Sequence, residues 1–180
     1  LKVNPNGGYL SVLGDDGKAY RIASVSKIVN YTYRETNTNL LEVALAADEL
    51  VPSENEEVIK LSQKIVGKEK NPYRKAKLIY DYMCDNFKIQ EKNAKNDADP
   101  MNLIKRNRGD AYDFSVIYTA LLRASGVPAF TDGGILVCQD MMTQAHWWAE
   151  FYIEDFGWFP VDVALGAGMQ YKKWPDTEDQ

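Results

Sequence analysis

The sequence predicts an α+β fold, an antiparallel sheet packed against helices. Three observations carry that reading. A glycine-bounded apolar helix spans about residues 111–125, two aromatic-rich strands flank a Glu154–Gly157 turn, and a Gly/Asp turn at Gly14–Gly17 separates two β-like runs near the start. The 180 residues suit one domain with a small appendage, and a chain of this size buries roughly 70% of its unfolded surface without staples. Apolar residues make up 45% and charged residues 26%, a globular balance that argues against disorder. Two cysteines and one histidine exclude a disulfide framework, a four-thiolate zinc site and a histidine metal cluster. The net charge of -5 argues against a nucleic-acid reader built on a basic face. No run of about 18 apolar residues exists to span a membrane. Leu1, with no signal-like run after it, reads as the start of a processed or excised protein.

Taken in order, Tyr9, Leu10, Val12 and Leu13, the Gly14-Asp15-Asp16-Gly17 turn, and Tyr20, Ile22 and Val25 predict a hairpin, with residues 25–34 extending the sheet. Residues 1–50 are read as a β-rich extension packed on a core domain of residues 51–180. Asn30-Tyr31-Thr32 matches a glycosylation acceptor and is read as accidental. Leu40, Leu41, Ala44, Leu45 and Leu50 predict a short apolar helical stripe that Pro52 interrupts. Ser53, three residues before Glu56, predicts a capping box. Val58, Ile59, Leu61, Ile65 and Val66 supply the core face of the helix it opens, and Gly67 ends it. Pro72 opens the next helix, in which Ala76, Ile79, Tyr80, Met83 and Phe87 recur through about residue 88. Cys84 lies in it as a small apolar residue. The polar run from Gln90 to Pro100 predicts a solvated loop, its mixed charges giving no directed field for binding.

Gly109 supplies a turn and Asp110 is the predicted N-cap of the long helix. Phe114, Ile117, Tyr118, Leu121 and Leu122 form its apolar stripe; Gly126 ends it and Pro128 follows. The start of such a helix carries roughly half a positive charge and favours a thiolate or a developing oxyanion. The first helical position, where a cysteine would be most acidified, is Ala111.

Residues 133–138 predict a strand, residues 144–153 a central strand and residues 158–163 the next, with Pro160 marking a bulge or an edge. The last two should form an antiparallel hairpin. Residue 154, in the turn, is equidistant from His146 and Asp162, so these two are predicted neighbours across the pair. A carboxylate accepting from an imidazole fixes its tautomer and stabilises its charged form.

Residues 109–115 (Gly-Asp-Ala-Tyr-Asp-Phe-Ser), the helix end Leu121–Ala129, the strand His146-Trp147-Trp148-Ala149-Glu150-Phe151-Tyr152 and the run Gly157–Asp162 together resemble the core of the transglutaminase-like superfamily. The resemblance covers roughly residues 55–166. It implies a papain-like Cys-His-Asp triad, with His146 as general base, Asp162 orienting it, and the nucleophile position falling on Ala111. It also implies acyl transfer at an amide, with the oxyanion held by the amide of residue 111 and a second donor. Members include proteases, crosslinkers and deglycosylating amidases; with no calcium-loop motif in this sequence, hydrolysis of a peptide or protein amide is expected before crosslinking. A methyl group cannot attack a carbonyl, so the chain as written is expected to be close to inactive. A Cys→Ala change in an active enzyme and a natural pseudoenzyme that binds a peptide or cell-wall amide both fit, as does a purely structural domain.

Other residues receive plainer readings. Asp113 complements the helix dipole. Trp147, Trp148, Trp158 and Phe159 are assigned to the core, and Tyr112 either lines a cleft or packs. Cys138 ends a strand near the His146 loop but lacks the helix-end field that acidifies a thiol. A Cys84–Cys138 disulfide is open if the protein is exported, and an extracytoplasmic setting is the expectation. Tyr171, Trp174 and Pro175 before an acidic end read as an unfinished segment. The expected partner is a peptide or protein substrate, with no cofactor and no nucleic acid; oligomeric state is not encoded in any pattern found.

Overall fold

The computed structural model describes residues 2–3, 9–13, 19–24, 38–90, 99–137 and 143–170, the first three segments as backbone only. The Gly14–Gly17 turn, the 25–34 extension, Asn30, most of the 90–100 loop, Cys138 with any disulfide to it, and the tail from Tyr171 lie outside the described residues. The chain divides into two compact units, residues 1–36 with 154–157 and residues 37–153 with 158–180.

In the first unit, β1 (Lys2–Val3), β2 (Tyr9–Leu13) and β3 (Ala19–Ser24) form an antiparallel sheet in that order. Tyr9 pairs with Ser24 and Leu13 with Ala19, so the two runs pair as the expected hairpin, with a bulge at Leu10/Ser11.

The second unit begins with α1 (Thr38–Val43), shorter than the apolar stripe implies. Ala44 is buried, but Leu50 is 63% exposed and lies outside the helix. The stripe fails because Asp48 turns the chain: its carboxylate accepts from the amides of Leu50 and Val51. Helix α2 (Glu56–Val66) starts from Asn55, whose side chain accepts from Glu57 N at 2.9 Å. The predicted Ser53–Glu56 capping box is therefore not formed; Ser53 is buried, and the closer Asn55, an equally good cap, takes its place. Gly67 ends the helix with φ +54°. Helix α3 (Pro72–Asn86) opens on Pro72 and ends before Phe87, two residues short of the expectation. The chain then turns into β4 (Lys88–Ile89), which pairs in parallel with β5 (Arg108–Gly109) across a short helix α4 (Asn102–Arg106).

Helix α5 (Ala111–Ala124) is the core of this unit, with nearly every residue from Ala111 to Arg123 buried. Helices α2 and α3 pack on it, as do β6 (Ala129–Val137) and β7 (Thr143–Ile153). A helix buried on every side cannot send its polar groups to water, so each is paired. Ser62 Oγ donates to Leu121 O at 2.8 Å, Tyr118 Oη to Ala76 O at 3.1 Å and Thr119 Oγ1 to Phe130 O at 3.2 Å. Arg123 is buried with Nε on Ala129 O and Nη1 on Ala46 O and the Asp48 carboxylate. These bonds fix the rotation and height of α5 against both layers.

The second sheet has the order β6-β7-β8, with β8 spanning Gly157–Val161. Strands β6 and β7 pair antiparallel from Ala129↔Phe151 to Val137↔Thr143, so β6 starts four residues earlier than predicted. Pro160 sits on β8, at the edge of this sheet, where a residue without an amide hydrogen is tolerated. The turn carries positive φ at Asp155 and Gly157. Strand β8 stops at Val161, and α6 (Val163–Gly166), a short helix the sequence reading lacks, follows. No helix among the described residues is long and apolar enough to cross a membrane.

Candidate active site

The start of α5 is built by a reciprocal cap. Asp110 Oδ1 accepts from Asp113 N, and Asp113 Oδ2 accepts from Asp110 N, both at 3.1 Å. Asp113 is buried, so it is a working half of the capping box rather than only a charge near the helix dipole. Glycine is required at 109 by space: a Cβ there would lie 2.6 Å from Asp113 Oδ2. Gly109 also accepts from Gln90 N, which ties the entry to α5 onto the β4 segment. Ala111, the first helical residue, is buried.

His146 lies on β7 and is 2% exposed. Its Nε2 is 2.5 Å from Asp162 Oδ2, the neighbour relation that the hairpin geometry predicts. Asp162 is also the N-cap of α6: its Oδ1 accepts from Leu165 N at 2.9 Å. One carboxylate oxygen is thus fixed by backbone and the other is aimed at the ring. A carboxylate can only accept, so Nε2 is the donor in this contact, and in a neutral ring that leaves the lone pair on Nδ1. Nδ1 is itself buried and has no hydrogen-bond partner among the described residues.

The height of α5 along β7 follows from two contacts. Ser115 Oγ donates to Trp148 O, and the Tyr112 ring meets the Trp147 ring edge-on with centroids 5.0 Å apart. Thr119, one turn further, reaches Phe130, whose pairing partner is Glu150. Helix and strand therefore advance in the same direction. One helical turn back from Ser115 is about 6 Å, and two strand residues back from Trp148 is about 6.6 Å. Steps of similar length thus lead from Ser115 to Ala111 along the helix and from Trp148 to His146 along the strand.

The aromatic residues divide. Trp147 is 38% exposed, which corrects its core assignment: the ring lies over Gly133 on the neighbouring strand and against Tyr112. Phe159 packs on the core as expected, stacked on Phe151, whereas half-buried Trp158 lies outside the core cluster, its ring against Phe130 and Tyr152. Cys84 packs against the core, and burial pushes its thiol above the ordinary range despite the hydrogen bond with Tyr80. This fits an inert thiol rather than a nucleophile.

Beside Ala111 opens a cavity of about 310 Å³, lined by Ile89, Asp110, Ala111, Gly168, Met169 and Gln170. Sequence reading missed Ile89, Gly168, Met169 and Gln170 as lining. Only the nearby Gly166 and Gly168, which signal a helix stop, hinted that the chain turns back there.

Residues 59–163 match the family model of the transglutaminase-like superfamily. An uncharacterised protein of Haemophilus influenzae is 30% identical over 141 residues, covering 65% of this chain and 38% of its own length. Among solved structures, a candidate cysteine protease from Cytophaga hutchinsonii superposes with a TM-score of 0.59 at 22% identity, over 74% of this chain and 45% of that one. The periplasmic domain of TgpA from Pseudomonas aeruginosa gives 0.59 at 17% identity, over 73% and 49%. At these identities the structural likeness is one of fold. The chain spans less than half the length of each of these proteins.

Proposed function

Because this chain belongs to the transglutaminase-like superfamily, we propose that it is a cysteine-enzyme scaffold for acyl transfer at peptide or protein amides, held in a binding-only form by Ala111. The observation that carries this reading is the His146 ring: one nitrogen held by Asp162, the other buried and without a hydrogen-bond partner among the described residues. A buried polar atom without a partner is costly, and a thiol at the start of α5 would supply one.

With cysteine at 111, Nδ1 takes the thiol proton and the α5 N-terminus stabilises the thiolate. Sulfur attacks the amide carbonyl, and the oxyanion draws on the amide of residue 111 and a second donor. The imidazolium returns its proton to the departing nitrogen as the C–N bond breaks, leaving a thioester that water or an amine resolves. Asp162 steadies the charged ring throughout. With alanine, the binding surface and the imidazole–carboxylate pair remain but no covalent step occurs. Losing a triad nucleophile costs on the order of a millionfold in rate. The same residue supports a second reading, a natural pseudoenzyme that grips a peptide or a cell-wall amide.

The test is Ala111→Cys. The introduced thiol is expected to alkylate with a midpoint well below the ordinary ~8.5, with His146→Ala raising it, and to bring turnover on a panel of peptide amides. Cys84, whose thiol burial holds protonated, stays slow at neutral pH, and a Cys138→Ser background removes the chain's other thiol from the readout. An ordinary thiol pKa together with no turnover sinks the enzyme reading and leaves the binding module.

A further inference from the structure

We infer that the cavity beside residue 111 seats an uncharged, apolar side chain of an extended peptide next to the amide under attack, and that Met169 sets this preference. The inference rests on the reading of residue 111 as the site of attack, and it adds the substrate class. Ile89 and Met169 form the apolar walls, each half-buried and packed against the core. The charged residue of the lining, Asp110, has a carboxylate oxygen committed to Asp113 N. Among the described residues no cationic side chain lines the cavity, and the Asp110 carboxylate disfavours a second acidic group beside it. A thioether wall is soft and polarisable, and accommodates branched, linear and aromatic side chains.

Met169 is placed by backbone. Gly168, at φ +93°, reverses the chain, so that Met169 N donates to Ala164 O at 3.0 Å. That carbonyl belongs to α6, the helix capped at its other end by Asp162. One four-residue helix thus carries the carboxylate that orients His146 at its start and positions the cavity wall at its end. A substrate side chain against Met169 would press on the element that aims the imidazole.

The experiment uses a mixed library of blocked short peptides in two arms. In the first, the Ala111→Cys protein cleaves the library and products are read by mass spectrometry; Leu, Met, Phe, Ile and Val are expected enriched at one position by about tenfold or more over Asp and Glu. In the second, the chain with Ala111 captures peptides from the same library, and the same enrichment is expected without turnover. In both arms Met169→Leu retains the preference and Met169→Asp abolishes it, with melting curves confirming that each variant folds. Turnover with no apolar preference, selection of charged side chains, or a preference that survives Met169→Asp overturns the inference while leaving the proposed chemistry standing. Capture with the expected preference but no turnover supports the cavity and removes the chemistry. No capture and no turnover overturns both.

Discussion

His146 Nε2 and Asp162 Oδ2 stand 2.5 Å apart, although sixteen positions separate them in sequence and Asp162 belongs to no strand. The carboxylate is aimed by α6: Leu165 N holds Oδ1, leaving Oδ2 to face the ring. The pair therefore depends on a helix cap as much as on the hairpin.

That double role separates orientation from stability. Asparagine caps a helix about as well as aspartate, so Asp162→Asn keeps the Leu165 bond. It no longer supplies a negative charge to the ring. In the Ala111→Cys background, Asp162→Asn is expected to lower kcat/KM by roughly a hundred- to ten-thousandfold with little change in melting temperature. Asp162→Ala is expected to lose the cap as well, destabilising by about 1 kcal/mol. Paired kinetics and thermal melts decide; equal activity in parent and Asp162→Asn would remove Asp162 from the mechanism.

Gly109 lies against the capping box. An alanine Cβ at that position would meet Asp113 Oδ2 at 2.6 Å and Asp113 Cβ at 2.8 Å. Gly109→Ala is expected to open the reciprocal cap and cost about 2 kcal/mol. In the Ala111→Cys background it should also raise the introduced thiol's pKa, because the helix start that stabilises the thiolate is displaced. Denaturant melts and alkylation against pH measure the two effects.

Asp132 on β6 and Glu150 on β7 crowd each other. Burial raises both carboxyls above their ordinary range, and the charge of Asp132 raises Glu150 further. A raised folded-state pKa means the fold holds these protons more tightly than the unfolded chain does. The cost is therefore absent below the unfolded pKa, about 4, and grows as pH rises through the folded value. Asp132→Asn is expected to raise the melting temperature at pH 7–8, with the gain shrinking toward pH 4. A gain that is flat with pH would point to a packing effect instead.

Much of this architecture is local and was legible. Helix α5 begins after Asp110 and ends just before Gly126 because capping and periodicity are written within a few residues of where they act. The His146–Asp162 contact could be anticipated because a hairpin maps distance along the chain onto distance in space. Local competition produced the misreadings: Asn55 outranked Ser53 as a cap, and the Asp48 turn ended the Leu40–Leu50 stripe.

The sequence by itself determined the α+β class, the central helix, the two facing strands and alanine at the helix start. Tertiary structure decided what surrounds that start: the parallel pairing of Ile89 with Gly109, the exposure of Trp147, the α6 cap that aims Asp162, and the Met169 wall. Each of these joins segments far apart in the chain, and their meeting depends on how the buried faces of α5 stack between two layers. That stacking is a property of packed volumes and paired polar groups, which no short window of residues contains.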